Sequence, residues 1–384
     1  MQSRNTMEAI VSHFNIEGRY IDHQPVRSGL INQTFLVTIE SPKGHNCRFI
    51  FQRINTNVFR EPYRVMENIM RVTEHIKQQM IETDGVYARR VLSFACTKDG
   101  QPYYESPEHG FWRAYEYVEN STAYNIAPSA DHFFEAGRAF GEFQLYLNDY
   151  DATTLYETIP NFHNTISRVA DLKTAIKNDT AGRLKDVQAE VDFLLSRESD
   201  AGVLVRALES GRIPYRVTHN DTKINNVLFD NLTDKAICVI DLDTVMPGSS
   251  LYDFGDAIRS GACAAAEDEP DLNKVEMDLN KYRLFTKGFI KGTHSLLTNE
   301  EIELMPISVK VMAYELAVRF LTDYLNGDVY FHTDYSGQNL LRTRTQMKLV
   351  SDVEKKLPEM IGYAHEYAEM YAKRFSDYET PNQL

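Results

Sequence analysis

Apolar and polar positions change rhythm once along this chain, from alternation in the first third to three- and four-residue spacing afterwards. Residues 7–16 predict a short leading helix. From Pro25 to Ile54 the rhythm is that of strands, with segments 34–38 and 47–52 flanking the turn Ser41-Pro42-Lys43-Gly44. Residues 62–83 place Val65, Ile69, Val72 and Ile76 on one helical face. Segment 91–97, closed by Lys98-Asp99-Gly100, and the aromatic segment 111–118 predict further strands. The first 118 residues thus predict a small, largely antiparallel sheet with one prominent helix.

After Glu119 the spacing is helical. Residues 130–148 carry Phe133, Ala136, Phe140, Phe143 and Leu147 on one face, and 184–196, 201–210, 279–297, 298–325 and 357–375 predict more helices. Thr298 with Glu301 matches a capping box, and Pro306 is expected to kink or split the segment that follows. The acidic run 267–272 reads as a solvated loop. The expected architecture is α+β in two lobes, a β-rich lobe over residues 1–118 and a helical lobe over 119–384.

One strand pair interrupts the helices. The apolar runs 227–229 and 236–240 flank a turn-forming cluster, Asp230 to Lys235, which predicts a β-hairpin. That register sets Asn226 opposite Val239 or Ile240, so Asn226 and Asp241 share the open end, with Asp221 just before the first strand. A cluster of oxygen ligands of this kind suits Mg²⁺, which takes one or two carboxylates together with substrate phosphates. A carboxylate in the preceding loop is placed to accept a hydroxyl proton. Taken alone, Asp221 would read as an Asx-turn or helix cap; its spacing to Asn226 and Asp241 favours chemistry.

The run His219-Asn220-Asp221-Thr222-Lys223-Ile224-Asn225-Asn226 resembles the catalytic loop of the aminoglycoside phosphotransferase and choline kinase superfamily. Ile240-Asp241-Leu242-Asp243 resembles its metal-binding segment, and Tyr252-Asp253 a later element of the same family. The resemblance implies a protein kinase-like fold with ATP as co-substrate and Mg²⁺ as cofactor. It makes Asp221 the catalytic base, Asn226 and Asp241 metal ligands, Asp243 a further metal-site carboxylate, and His219 a structural brace. In the N-terminal lobe it implies a turn over the phosphates carrying Gly29 and Asn32, and a connector whose Glu116 and Val118 face adenine. Where such kinases carry a lysine on the third strand, this chain has Gln52-Arg53, and Arg53 is the expected substitute, with Glu67 or Glu74 as its partner.

From about residue 25 to 375 the chain is also similar to one branch, the N-acetylhexosamine 1-kinases, in Gln52-Arg53-Ile54-Asn55-Thr56-Asn57-Val58-Phe59 and in the segments around Asp221 and Asp241. That resemblance implies a sugar acceptor held by Arg319 and Tyr330, with Phe162 and His163 at its border. A helical pairing of Arg319 with Glu315 or Asp323 is the competing structural explanation. Two alternative functions remain at this stage: a kinase for another small alcohol (homoserine, choline or methylthioribose), with Asp243 and Asp256 forming an acidic pocket, or a nucleotide-binding pseudokinase.

Composition narrows the partners. A net charge of −14 and a pI near 5.3 argue against a nucleic-acid binder. No apolar run reaches transmembrane length, and the first twenty residues lack a signal core. Cys47, Cys96, Cys238 and Cys263 form no C-x-x-C pair and read as reduced, mostly buried thiols, so the expected location is cytoplasmic.

Overall fold

The computed structural model describes residues 3–26, 31–263 and 265–378. Gly29, expected in the phosphate turn, lies outside the described residues. The chain opens with helix α1 (Arg4–Ser12) and three antiparallel strands, β1 (Arg19–Val26), β2 (Gln33–Glu40) and β3 (Asn46–Arg53). Helix α2 (Pro62–Asp84) precedes β4 (Phe94–Ala95), β5 (Tyr104–Ser106) and β6 (Gly110–Glu116). The sheet order is β1-β2-β3-β6-β4, with β5 hanging from β6. Strand β1 was not anticipated because its sequence is polar. It lies at the sheet edge, where polar side chains and Pro25 are tolerated. The expected strand at 91–97 shrinks to two residues.

The sheet is covered on both faces. Against α1 it packs Phe35, Val37, Phe51 and Trp112. On the other face α2 buries Val65, Ile69, Val72 and Ile76, each burial favourable by roughly 1.5–3 kcal/mol. This second core does not stop at the lobe. It runs on through Phe143, Val217, Cys238 and Leu242 of the C-terminal half.

Beyond β6 come β7 (Ser121–Ala123), α3 (Ala130–Tyr146), α4 (Thr165–Asn178), α5 (Gln188–Leu195), α6 (Glu198–Ala201) and α7 (Val203–Glu209). Short strands β8 (Arg216–Thr218), β9 (Val227–Asp230), β10 (Ala236–Val239) and β11 (Met246–Gly248) follow, then α8 (Ser250–Gly261), α9 (Leu279–Thr293), α10 (Asn299–Asn326) and α11 (Gln338–Tyr378). The capping box at Thr298 and Glu301 is present, yet α10 runs unbroken through Pro306 and α11 through Pro358. Pro306 is buried in α10, which packs along α11, and that burial offsets the lost hydrogen bond; Pro358 is exposed. Helix α8 escaped the spacing argument for another reason: Ser250 to Arg259 are all buried, so it has no polar face to set a period.

Two features fix the frame of the C-terminal half. Helices α3 and α9 touch backbone to backbone: a Cβ on Gly141 would meet the Phe289 carbonyl at 2.4 Å, and one on Gly288 the Phe134 carbonyl at 2.1 Å. The connector is stitched down as well, because β7 pairs with β9, and Arg89 donates to the Glu119 and Asn120 carbonyls while pairing with Asp230. All four cysteines are free, but only Cys238 is buried and Cys47 is exposed, which corrects the expectation of mostly buried thiols. Among the described residues, no helix is long and apolar enough to cross a membrane.

Candidate active site

The hairpin forms as its sequence predicts. Val227 pairs with Val239, and the Ile240 amide donates to the Asn226 carbonyl at 2.9 Å, so Asn226 and Asp241 stand at the open end. At the closed end Asp230 Oδ1 accepts from the Leu232 and Thr233 amides. Asp241, just past the end of β10, adopts φ of +61°, a left-handed conformation that breaks the strand geometry there.

The loop carrying Asp221 is held from behind. Strand β8 pairs with β11, and the chain then turns sharply at Asn220, φ +66°. Buried Asp253 on α8 accepts from the His219 amide at 3.0 Å, the Asn220 amide at 2.7 Å and Gln144 Nε2 of α3 at 2.9 Å. Burial nevertheless pushes the Asp253 carboxyl up to about 6, against the pull of His219 and these amides. His219 Nε2 donates to the Ile240 carbonyl at 2.9 Å, and Nδ1 accepts from the Asp221 amide at 3.3 Å, which ties the loop to the hairpin.

Asp221 emerges half-buried from this frame. Asn226 Nδ2 donates to its carbonyl at 2.7 Å and to Oδ2 at 3.3 Å, and Lys223 Nζ lies 2.7 Å from Oδ1. Leaving water works against the Lys223 charge, but the Asp221 and Asp256 carboxylates hold its ammonium above the usual value. Asp241 makes no hydrogen bond or ion pair among the described residues. Desolvation in the cleft, with the Asp243 and Asp221 charges nearby, pushes its carboxyl up to about 6. A carboxylate crowded by two others and lacking a counter-charge of its own fits a divalent cation. Among the described residues no three His, Cys, Asp or Glu side chains form a ready-made cage. Mg²⁺ seldom uses one, since phosphates and water complete its shell.

The N-terminal lobe contributes differently from expectation. Arg53 lies on the sheet face of Phe51, its guanidinium beside Gly110, whereas the cleft side of β3 presents Gln52. Glu67 pairs with Arg71 and Glu74 with Lys77, so neither serves Arg53. The cation at the cleft is Arg113 of β6, paired with Asp243. Sequence reasoning passed over it, although a lone arginine on the Phe111 and Tyr115 face of an aromatic strand was a usable signal. Asn32 does reach the site, with Nδ2 2.6 Å from Asp243 Oδ2. Glu116 ends β6 and is exposed; Val118 follows, buried, its carbonyl accepting from the Ser121 hydroxyl.

On the far side, Arg319 and Tyr330 come together as the spacing suggested. The Arg319 guanidinium lies 5.4 to 5.9 Å from the rings of Phe162, Tyr330 and Phe331, and Tyr330 is 68% exposed, not core. Among the described residues Arg319 makes no hydrogen bond, but it forms the helical ion pair with Glu315 Oε1, at 3.9 Å, that the competing explanation expected. Asp323, its other candidate partner, instead accepts from the Val329, Tyr330 and Phe331 amides and from Asn339 Nδ2. Glu315 is buried between Thr165 Oγ1 at 2.6 Å and His163 Nδ1 at 2.9 Å, and His163 Nε2 is 3.3 Å from the Asn220 carbonyl. Side chains thus link the Arg319 pocket to the catalytic loop. Arg168 of α4, not anticipated, shares with Arg319 a cavity of about 470 Å³, and its buried Nε has no hydrogen-bond partner.

A β-rich lobe facing a helical lobe, with an aspartate loop and an Asn–Asp hairpin mouth between them, defines a protein kinase-like fold. The chain belongs to the phosphotransferase enzyme family, whose model matches residues 22–288. Its structure resembles an aminoglycoside phosphotransferase from Alicyclobacillus acidocaldarius (TM-score 0.61, 13% identity, 96% of this chain and 98% of that one). It also resembles a microcompartment-associated aminopropanol kinase (0.55, 16%, 93% and 98%) and a Plasmodium vivax ethanolamine kinase (0.53, 14%, 85% and 82%). At these identities the likeness is one of fold.

Proposed function

We propose that this chain is an ATP- and Mg²⁺-dependent kinase that phosphorylates the anomeric hydroxyl of N-acetylhexosamines, giving the sugar 1-phosphate. The observation that carries the reading is Arg319. It makes no hydrogen bond among the described residues, it sits among three aromatic rings, and its ion pair with Glu315 leads through His163 to the loop of Asp221. Such a group suits the hydroxyls and amide carbonyl of a neutral sugar, with Tyr330 stacking or bonding beside it.

Asp221 accepts the O1 proton as the O1–phosphorus bond forms and the bond from phosphorus to the ADP oxygen breaks. Lys223 and Asn226 hold the two carboxylate oxygens of Asp221 in place for that transfer. Asn226 and Asp241 would hold Mg²⁺, which neutralises phosphate oxygens when bound. Asn32 would lie near the phosphates, with Gly29 assigned there from the sequence resemblance alone, and Glu116 and Val118 would offer backbone groups to adenine. Purified protein with ATP, Mg²⁺ and a panel of hexosamines, choline, ethanolamine and homoserine tests the substrate. Sugar 1-phosphate is the expected product, and its absence with every hexosamine would sink the substrate assignment.

A second reading, a kinase for another small alcohol, draws on the aminopropanol and ethanolamine kinases of like fold. A cationic acceptor calls for free carboxylates. The two expected for it each carry an arginine, Asp243 with Arg113 and Asp256 with Arg259 at 2.7 Å. That leaves the sugar as the better fit.

A further inference from the structure

We infer that Asp243 is a positioning residue, latching the nucleotide-clamping lobe onto the catalytic hairpin, and that Asp241 alone supplies the hairpin's carboxylate to metal. Asp243 sits in the single turn after Asp241 and is 5% exposed. Its two oxygens are engaged unequally: Oδ2 is hydrogen-bonded, whereas buried Oδ1 is ion-paired but accepts no hydrogen bond of regular geometry among the described residues. Oδ1 pairs with Arg113, itself 2% exposed, and Oδ2 accepts from Asn32 Nδ2 at 2.6 Å.

These two partners are themselves anchored. Arg113 Nε donates to Gln52 Oε1 at 2.9 Å, Gln52 Nε2 to Thr34 Oγ1 at 3.1 Å, and the Asn55 amide to Asn32 Oδ1 at 3.0 Å. Strands β2, β3 and β6 and the turn before β2 thus converge on one carboxylate of the other lobe. A metal ligand needs an oxygen free to face the phosphates. Asp241, unpaired among the described residues, has one; Asp243 Oδ1 faces the Arg113 guanidinium, whose positive charge repels a cation.

Removing either member of a buried ion pair strands the other charge, so the lobes should lose register in the same way whichever partner is cut. The turn that carries Asn32 would then no longer be set above Asp241. This inference rests on the kinase reading for its nucleotide readout, but the latch itself is a property of folding.

The test is a double-mutant cycle with Asp243→Asn, Arg113→Met and the pair, adding Arg113→Lys as a conservative variant that keeps the charge. Thermal unfolding, ADP affinity and the Mg²⁺ concentration for half-maximal ADP binding are measured on each. Both single variants should weaken ADP binding at least about tenfold, with the Mg²⁺ midpoint at saturating ADP moving less than about twofold. The double variant should be no worse than the worse single one, and Arg113→Lys should recover part of the loss. A Mg²⁺ midpoint shifted by Asp243→Asn but not by Arg113→Met would overturn the latch and make Asp243 a ligand. If the wild type binds no ADP, the kinase reading fails, and the unfolding cycle still decides the latch: additive losses refute it, non-additive losses support it.

Discussion

At the cleft, Asp241 is the residue whose ionisation should be visible in solution. On the proposed reading its carboxyl, pushed up to about 6 by desolvation and by neighbouring carboxylates, would offer Mg²⁺ and the proton the same lone pairs. Below that value the proton wins; above it the site is free. Roughly a tenth of such a group is ionised at pH 5 and nearly all at pH 8, so apparent Mg²⁺ affinity should fall about tenfold between them. Calorimetry in two buffers of different ionisation enthalpy should find about one proton released per Mg²⁺ bound at pH 5, and none at pH 8. Replacing Asp221 by Asn should reduce turnover by roughly 10²–10⁴-fold while leaving ADP affinity intact, which equilibrium binding checks. Arg168→Ala should raise the acceptor KM about tenfold with little change in kcat, as loss of a hydrogen bond to a charged donor would. The residues of the hairpin and loop were legible in sequence because Asp221, Asn226 and Asp241 are joined by short local structure. Arg168 was not, and Arg113 was marked only by its place on an aromatic strand. Each reaches its place through strand register or helix packing set by distant residues, and the choice of Arg53 failed by a single position on an alternating strand.

Elements were readable where one face was wet. Helix α2 shows its apolar stripe because the opposite side meets water, and its core positions match those expected. Helix α8 shows none because it is buried all round, and β1 shows none because an edge strand need not alternate. Pro306 does not split α10, since tertiary packing outweighs a local helix penalty there. Contact between α3 and α9 is invisible without both partners, yet it places Gln144 against Asp253 behind the catalytic loop. Gly288→Ala would put a methyl group 2.1 Å from the Phe134 carbonyl, forcing the helices apart. Overpacking of this kind costs about 1–3 kcal/mol, so differential scanning calorimetry should record a lower unfolding midpoint and, through Asp253, reduced kcat.

Over the whole molecule, the two-lobe plan was apparent from the change of rhythm near Glu119, but the way the lobes share material was not. Side chains of α2 and β6 form one core with Phe143, Val217 and Leu242, and the crossing strand β7 is zipped to β9. The first 118 residues are therefore not a portable nucleotide module. Expressed alone, they would present Val65, Ile69, Val72 and Ile76 to solvent with one wall of their packing missing. Aggregation is the expected fate of that fragment, and co-expression with residues 119–384 should return it to solution. In this chain the boundary between lobes is a boundary of shape and work. The hydrophobic core runs across it without a break.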